Sequence, residues 1–504
     1  MKSVDERAIT GLGVPSLTLM EHAGASVVAE MENVRSIRRK KIVVFAGKGN
    51  NGGDGFVVAR IAYERGATVT VVLFEKPDEL KGDALVNFNR LNPSSLTIMD
   101  IDDFLSSGKR RYDYIVDAIF GTSFHGALHG RYSQAVEWIN SQKAGSVIAV
   151  DIPSGLDGET GIVESVGAFA ETTVTFSNPK IGFYRANAKE YTGTVRVADI
   201  GIPTDALTGE RSDIFLVEEN DCRTLMPTRR SNSHKHSVGK VFILAGSKGM
   251  MGAALMSSLS AMKAGAGQVI LGIPDSEYGI VAKRTLEVMP LGLACTEGGS
   301  ISSTAFSEIQ KRIEWADVLV MGCGLSQHPE TKSLIMQIIE TCPKPMVIDA
   351  DGLNALAENV SLLKNRQSQS VVLTPHHGEF SRLAGIPSSE IEPNKFDLAR
   401  DFARKYAVTL ILKGAPTLTA TSTGHVFVNP TGNPGMSTAG SGDVLAGVVG
   451  ACMGQSLTPE SASILGVYIH GYAGDVAKQK KGIQGMIARD IIGAIPAAFK
   501  RMIQ

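Results

Sequence analysis

KIVVFAGKGNNGGDGFVVARIAYERG, residues 41–66, decides the fold. A β-branched apolar run (41–47) enters a glycine-rich loop (47–55) and leaves as an amphipathic stretch (55–66), which reads as strand, tight turn and helix. Outward from it the same rhythm recurs. TVTVVLF (68–74), YIVDAIFG (114–121) and SVIAVDIP (146–153) read as buried parallel strands, and YSQAVEWINSQ (132–142) as a helix between two of them. The alternation lapses between about residues 204 and 238, where TDALTGERSD and MPTRRSNSHKHSVG carry turn formers and charges. It restarts with KVFILAG (240–246), GQVILGIP (267–274), DVLVMGCG (317–324), KPMVIDADG (344–352), SVVLTPH (370–376) and VTLILKG (408–414). The expected class is therefore α/β, in two domains spanning 1–213 and 214–504, with ligands at the carboxyl ends of the strands. The glycine loops of the two halves differ in residue type and spacing, so an internal duplication is not supported.

Composition narrows the function. The chain has 504 residues, 43% of them hydrophobic and 20% charged, which is ordinary for a globular protein with a large core. Fifty basic side chains balance 51 acidic ones, so there is no general field for nucleic acid or anionic lipid, and neither is expected as a partner. Five cysteines stand singly at 222, 295, 323, 342 and 452, without zinc spacing, and read as reduced core thiols of a cytoplasmic protein. MKSVDERAITGLG carries charges where a secretory signal needs apolar residues, and no apolar run reaches membrane-spanning length.

In the first half, GKGNNG matches the dinucleotide pattern G-x-G-x-x-G, and Glu75 ends the next strand, where such folds place a ribose-binding acid. A nicotinamide-dependent dehydrogenase is thus one reading. Against it stand Asn50 and Asn51 at the loop tip and Asp54 at the mouth of the helix, where an acid opposes a bound pyrophosphate. Asp54 as a plain helix cap is the simpler alternative. Asp117 in VDAIFGT and Asp151 with Ser154 in DIPSG end further strands, and sheet topology gathers them beside the loop. Three acids with Asn51 and Ser154 suit a hard cation. Lys180, in NPKIG, reads either as a ligand-phosphate contact or as a solvated surface lysine.

NNGGDGF, VDAIFGT and VDIPSGLDG resemble the epimerase domain of the NAD(P)H-hydrate repair enzymes over about residues 1–213. That resemblance implies a Rossmann-like α/β/α sandwich with a potassium ion on Asn51, Asp117 and Ser154. It further implies hydrated nicotinamide nucleotide bound by Asn50, Asn51, Gly52, Gly53 and Asp54, by the loop Gly121, Thr122, Ser123, Phe124, His125, Gly126 and Ala127, and by Tyr132 and Asp151. The loop reads GTSFHGA where the family shows GTGL-x-G, so Ser123 and Phe124 alter the pocket. Epimerisation at the hydrated carbon needs an acid–base group and a site tolerant of cationic character. Asp151, held at a strand end before Pro153, is the candidate.

In the second half, STAGSGDVLAGVVGA (437–451) builds an anion hole: Gly440, Ser441 and Gly442 form a turn, and a helix opening at Asp443 aims its N–H groups at one spot. Asp443 beside it suits proton abstraction from a hydroxyl as a phosphoryl group is transferred. A plain Asp-capped turn is the structural alternative. Lys413 in LKGAPTLTA ends a strand, and there is no P-loop. A-G-S-G-D late in an α/β domain resembles the ribokinase-like superfamily. With GKVFILAGS, MGCGLS, VIDADGLN, LTPHHGEF and LKGAPT it is similar to the ADP/ATP-dependent NAD(P)H-hydrate dehydratases over about 214–504. The resemblance implies that Ala253, Gly324, His376 and Asp443 contact the hydrated dinucleotide. It gives the adenine nucleotide to Lys413, Gly414, Ala415, Pro416, Thr417 and Gly442. Cys323 and Ser326 depart from the family's G-P-G-L-G, and His377 stands where Pro follows His376.

These readings converge on a bifunctional enzyme. It interconverts R and S hydrates of NADH and NADPH, then dehydrates the S form with ADP as co-substrate, giving AMP and phosphate. K⁺ in the first domain, Mg²⁺ in the second and a homo-oligomer are expected. The alternative is a ribokinase-like kinase of a small alcohol with a non-catalytic N-terminal module binding a ligand or a protein.

Overall fold

The β-branched runs form strands because each is flanked by glycine or polar turns and buried on both sheet faces. A computed structural model describes residues 2–108, 110–142, 145–185, 187–207, 212–229 and 238–503. It divides into two units, Met1–Arg211 and Ser212–Gln504. Parts of TDALTGERSD and MPTRRSNSHKHSVG lie outside the described residues.

The first unit holds seven strands: β1 (Lys41–Ala46), β2 (Thr68–Leu73), β3 (Thr97–Asp100), β4 (Tyr114–Ala118), β5 (Ser146–Val150), β6 (Thr172–Phe176) and β7 (Thr194–Ala198). Their order is β3-β2-β1-β4-β5-β6-β7, with parallel pairing throughout. Chain direction across the sheet reverses between β1 and β4, a switch point that opens a crevice at the strands' carboxyl ends. One sheet face packs Val44, Val71 and Val116 against the helices Ser16–Val34 and Asn50–Glu64. The other buries Phe45, Phe104 and Trp138, with ring centroids 5.3 Å apart for Phe45–Phe104.

The second unit adds β8 (Ile214–Leu216), β9 (Lys240–Leu244), β10 (Gln268–Pro274), β11 (Met289–Leu293), β12 (Val318–Met321), β13 (Met346–Ile348), β14 (Val371–Leu373), β15 (Thr409–Leu412), β16 (Leu418–Ala420) and β17 (Val426–Val428). The order is β11-β10-β9-β12-β13-β14-β15-β16-β17-β8, parallel from β11 to β15 and closed by an antiparallel β15–β16–β17 meander. Helix Ser441–Gly454 crosses close over Met251–Lys263. A Cβ on Gly447 would lie 2.0 Å from the Ser257 carbonyl oxygen, so only glycine allows this approach.

Candidate functional site

The loop after β1 turns back on itself so tightly that a Cβ on Gly52 would meet the Gly47 oxygen at 1.7 Å. Gly53 packs likewise against Met20. These two glycines shape the turn and stand outside the cavity, as do Gly126 and Ala127. The helix starts at Asn50 with Gly49 as its cap, so Asp54 lies a full turn inside and caps nothing. It points instead into a cavity of about 530 Å³ that Asn50, Asn51, the loop Gly121–His125, Tyr132, Asp151 and Lys180 also line.

The expectation of three acids in one cation site is corrected: the structure separates them into two groups. Asp117 is fully buried, accepting from the Ser154 backbone N–H at 2.7 Å and hydroxyl at 2.5 Å. Burial pushes its carboxyl up and those bonds draw it back. Asn51 joins this group: its Nδ2 donates to the Phe120 carbonyl at 2.8 Å, and the Phe120 N–H donates to Ser154 Oγ at 3.2 Å. Its Oδ1 is buried with no hydrogen-bond partner among the described residues.

Asp151 and Asp54 form the other group, joined by Asp5, which the sequence reading missed. Asp151 adopts φ 63°, a strained region for a non-glycine residue. Its Oδ1 accepts from Lys180 Nζ at 2.6 Å and from Thr175 Oγ1 at 3.0 Å. Lys180 is 5% exposed and also donates to Thr175 Oγ1 and the Phe176 carbonyl, so the surface-lysine reading is overturned. Burial, then the Asp151 and Asp5 charges, raise the Asp54 carboxyl well above the ordinary range. Asp5 is raised by burial too, with the Lys180 charge opposing.

Glu75 is not a free ribose acid. It accepts from Tyr132 Oη at 2.8 Å and from Arg131 Nη2 at 2.8 Å, fixing the tyrosine against Phe74. The tyrosine hydroxyl is pushed up to about 12, first by burial and then by Glu75. Phe124 extends this aromatic wall, 5.0 Å from Phe120 between centroids.

In the second unit the helix begins at Ser441, two residues before the expected Asp443, with Gly440 capping it at φ 90°. Asp443 is therefore in the first turn and half-buried, and burial, then the Asp349 charge, push its carboxyl up to about 6. Facing it is a pair only half seen in the sequence. Lys413 Nζ donates to Asp349 Oδ1 at 2.8 Å and lies 3.7 Å from Glu379 Oε2. Thr374 Oγ1 donates to the same Asp349 oxygen at 2.7 Å. A Cβ on Gly442 would sit 3.2 Å from Lys413 Nζ, so the anion hole and the lysine are neighbours. Ala253 and Gly324 meet across the site, the alanine Cβ 3.2 Å from where a Cβ on Gly324 would stand.

His376 caps the helix His377–Ala384 with Nδ1, which accepts from Gly378 and Glu379 N–H groups, leaving Nε2 on an exposed ring. His377 Nε2 lies 3.5 Å from Glu392 Oε2 and over Gly414 of the Lys413–Thr417 loop. Burial lowers its pKa. Ser326 takes φ 81°, where the family's glycine is at ease, and its N–H donates to Asp351 Oδ2 at 2.9 Å. Cys323 is buried, its Sγ 3.9 Å from Asp349 Oδ2. The other cysteines are buried except Cys295, which is half-exposed, and all five are free.

The two units define a class: a doubly wound dinucleotide-type sheet with an acidic crevice, and a phosphate-handling α/β domain with a glycine-rich helix N-terminus. The NAD(P)H-hydrate dehydratase family model matches residues 241–497, and the model described as YjeF-related protein N-terminus matches 16–182. A bifunctional NAD(P)H-hydrate repair enzyme of Moorella thermoacetica is 39% identical over 100% of this chain and 96% of its own. That of Escherichia coli is 34% identical over 97% of this chain and 92% of its own. A ribokinase-like superfamily protein of Enterococcus faecalis V583, 24% identical, covers 58% of this chain and 98% of its own at a TM-score of 0.50, a likeness of fold. The chain belongs to the family of bifunctional NAD(P)H-hydrate repair enzymes. Among the described residues no helix is long and apolar enough to cross a membrane.

Proposed function

We propose that this chain restores hydrated NADH and NADPH in two steps, with residues 1–213 epimerising the R and S hydrates and 214–504 dehydrating the S hydrate with ADP. One observation carries the reading. A chain matched end to end by repair enzymes holds both an acid-lined crevice over β1 and β4 and an Asp443 base beside a lysine-fronted anion hole.

In the first domain, Asn50, Asn51, Asp54, Gly121 to His125, Tyr132 and Asp151 are assigned to the hydrated nucleotide, with Gly52, Gly53, Gly126 and Ala127 shaping the loops that carry them. Asp151 serves as the acid–base group. Asn51, Asp117 and Ser154 are assigned to K⁺, and the buried, partnerless Asn51 Oδ1 fits a cation that takes neutral oxygen ligands. Such an ion would supply positive charge beside Asn51, Asp117 and Ser154, at the floor of the crevice.

In the second domain Asp443 removes the proton from the hydrate's hydroxyl, and that oxygen attacks the terminal phosphorus of ADP as AMP departs. Lys413 and the N–H groups at Gly440–Gly442 hold the transferring phosphoryl group. The ring nitrogen's lone pair then expels phosphate, a far better leaving group than hydroxide, and loss of a ring proton restores the dihydropyridine. Lys413 to Thr417 and Gly442 are assigned to ADP, and Ala253, Gly324 and His376 to the hydrate. Mg²⁺ belongs with the nucleotide phosphates rather than in a protein cage. The possible ligand atoms that converge within 4.8 Å are on Cys323, Asp349 and Asp443; sulfur is a poor Mg²⁺ donor and Lys413 already occupies Asp349.

The test is incubation with mixed hydrates, Mg²⁺ and either ADP or ATP, following the absorbance of reduced nicotinamide. Complete recovery with ADP and released phosphate is expected. A stable phosphorylated product instead would make the second domain a small-alcohol kinase.

A further inference from the structure

Four carboxyls line the crevice, on Asp5, Asp54, Asp83 and Asp151, and Asp151 is clamped by a buried lysine. Lys180 Nζ sits 2.6 Å from Asp151 Oδ1, and Thr175 Oγ1 and the Phe176 N–H approach that same oxygen. All these partners crowd one oxygen, which leaves Oδ2 as the reactive atom of Asp151. Asp54 has no such support. It is 9% exposed, lines the same cavity, and has acid neighbours but no cation partner among the described residues. Asp5 is intermediate, because it feels the Lys180 charge. Two carboxyls in one site with opposite electrostatic surroundings are suited to opposite proton roles.

Resting on the epimerase reading, we infer that Asp54 is the catalytic acid, Asp151 the catalytic base, and Lys180 the positioning residue that keeps these roles apart. The Asp54 carboxyl gives its proton to the hydroxyl on the hydrated carbon. The C–O bond breaks with both electrons leaving on oxygen, so water departs, and the ring nitrogen's lone pair closes a C=N⁺ bond. The Asp151 carboxylate faces this cation. Water then adds to the opposite ring face and loses its proton to Asp151 Oδ2. Proton transfer from Asp151 to Asp54 through cavity water resets the site, and nothing is consumed. The raised proton affinity of Asp54 agrees with this order.

Other charged groups lining the cavity are Asp5, Lys48, Asp83 and His125, from four different segments. Tyr132, also in the wall, is pushed up to about 12 and stays neutral over the working range.

The experiment uses the full chain and a purified single epimer without ADP, so that only epimerisation is read. Dehydration of the S hydrate with ADP and Mg²⁺ reports separately on the second domain. For Asp54→Asn, epimerase kcat should fall about 10²–10⁴-fold. Its KM should stay within about threefold, since shape and polarity are kept. Asp54→Glu should restore part of kcat. Dehydration should match the wild type in both. Lys180→Gln should lower epimerase kcat with little change in KM, and Lys180→Arg should recover part of it, because an arginine keeps a charged donor beside Asp151 Oδ1. Asp54→Asn within tenfold of wild-type kcat, or Lys180→Arg no more active than Lys180→Gln, overturns the assignment. Should Lys180→Gln unfold the first domain, seen as loss of its calorimetric transition, Asp54→Asn against Asp54→Glu decides alone. A wild-type chain that dehydrates but never epimerises refutes the epimerase reading itself, a distinct result.

Discussion

Dehydration should fail in mild acid, where an ordinary carboxylate would still work. Asp443 must be ionised to take the hydroxyl proton, and burial with the neighbouring Asp349 charge pushes its pKa up to about 6. A base is lost as pH falls through its pKa, so the working fraction is about 0.97 at pH 7.5 and about 0.09 at pH 5. At the ordinary value of 3.8, about 0.94 would remain ionised at pH 5. The expected outcome is a roughly tenfold fall in dehydratase kcat/KM between those pH values, against almost none for an unshifted group. The assay is the initial rise of reduced-nicotinamide absorbance with saturating ADP and Mg²⁺, corrected for spontaneous breakdown. Phosphate groups also titrate at about 6, so the profile alone is ambiguous. Cys323→Ala resolves it. The Cys323 thiol hydrogen-bonds the Asp443 carboxyl and lowers its pKa, so losing the thiol moves the limb upward. If that bond contributes about 0.7 kcal/mol, the limb moves about half a unit and the rate at pH 5.5 drops two- to threefold more than at pH 7.5. A flat profile from pH 5 to 7.5, or a limb that ignores Cys323→Ala, refutes the reasoning.

Asp151→Asn should consume the S half of a hydrate mixture and leave the R half apart from slow spontaneous conversion, as chromatographic separation of the epimers over time will show. Removal of the partnerless oxygen in Asn51→Ala should weaken the K⁺ response of epimerisation by about tenfold or more, measured by titrating K⁺ against Na⁺. An unchanged response places the cation elsewhere. Gly447→Ala drives a Cβ to 2.0 Å from the Ser257 oxygen and 2.1 Å from Ser260 Oγ. It should destabilise the second domain by about 1–3 kcal/mol. Its calorimetric transition should drop by roughly 3–10 °C.

What was legible in the sequence follows burial. Runs such as KIVVFA and KVFIL became central strands because apolar β-branched residues on both faces have no other use. The strand Thr172–Phe176 was invisible for the opposite reason. Its three threonines read as polar, yet Thr173 and Thr175 are fully buried, with Thr173 Oγ1 bonded to the Thr192 carbonyl at 2.8 Å and Thr175 Oγ1 to Asp151. β3 and β11 lie at sheet edges, where half-exposed side chains blur the pattern. In the sites, residues within glycine loops were legible, because tight turns restrict which residue types fit. Asp5, Asp349 and Glu379 were not, since each acts through a partner far away in sequence. Asp5 sits in the charged opening segment MKSVDERAITGLG, where no sequence neighbour points to a crevice. Lys180 shows the same limit: a lysine in a Pro-containing loop reads as solvated until Asp151 is seen beside it.

Both sites solve one electrostatic problem in the same way, with opposite outcomes. Each couples an aspartate clamped by a lysine to a second aspartate left without a cation of its own: Asp151–Lys180 beside Asp54, and Asp349–Lys413 beside Asp443. The charge of the clamped member raises the proton affinity of its neighbour. In the second domain the neighbour is only half-buried, and Lys413 and the Cys323 thiol draw it back to about 6, so it is ionised near neutrality, as the proposed base must be. In the first, Asp54 is buried and faces two acids, with no cation partner among the described residues, so its proton affinity is raised well above the ordinary carboxyl range, as the proposed acid requires. The difference matches the chemistry. Exchange of hydroxide at an epimerising carbon needs a donor to make water of the leaving group. Phosphorylation needs an acceptor to bare the hydroxyl, because phosphate then leaves without protonation. Under the proposed roles, the degree of burial of one aspartate, set by its place in the helix that follows a glycine loop, matches the proton role it is assigned in each domain.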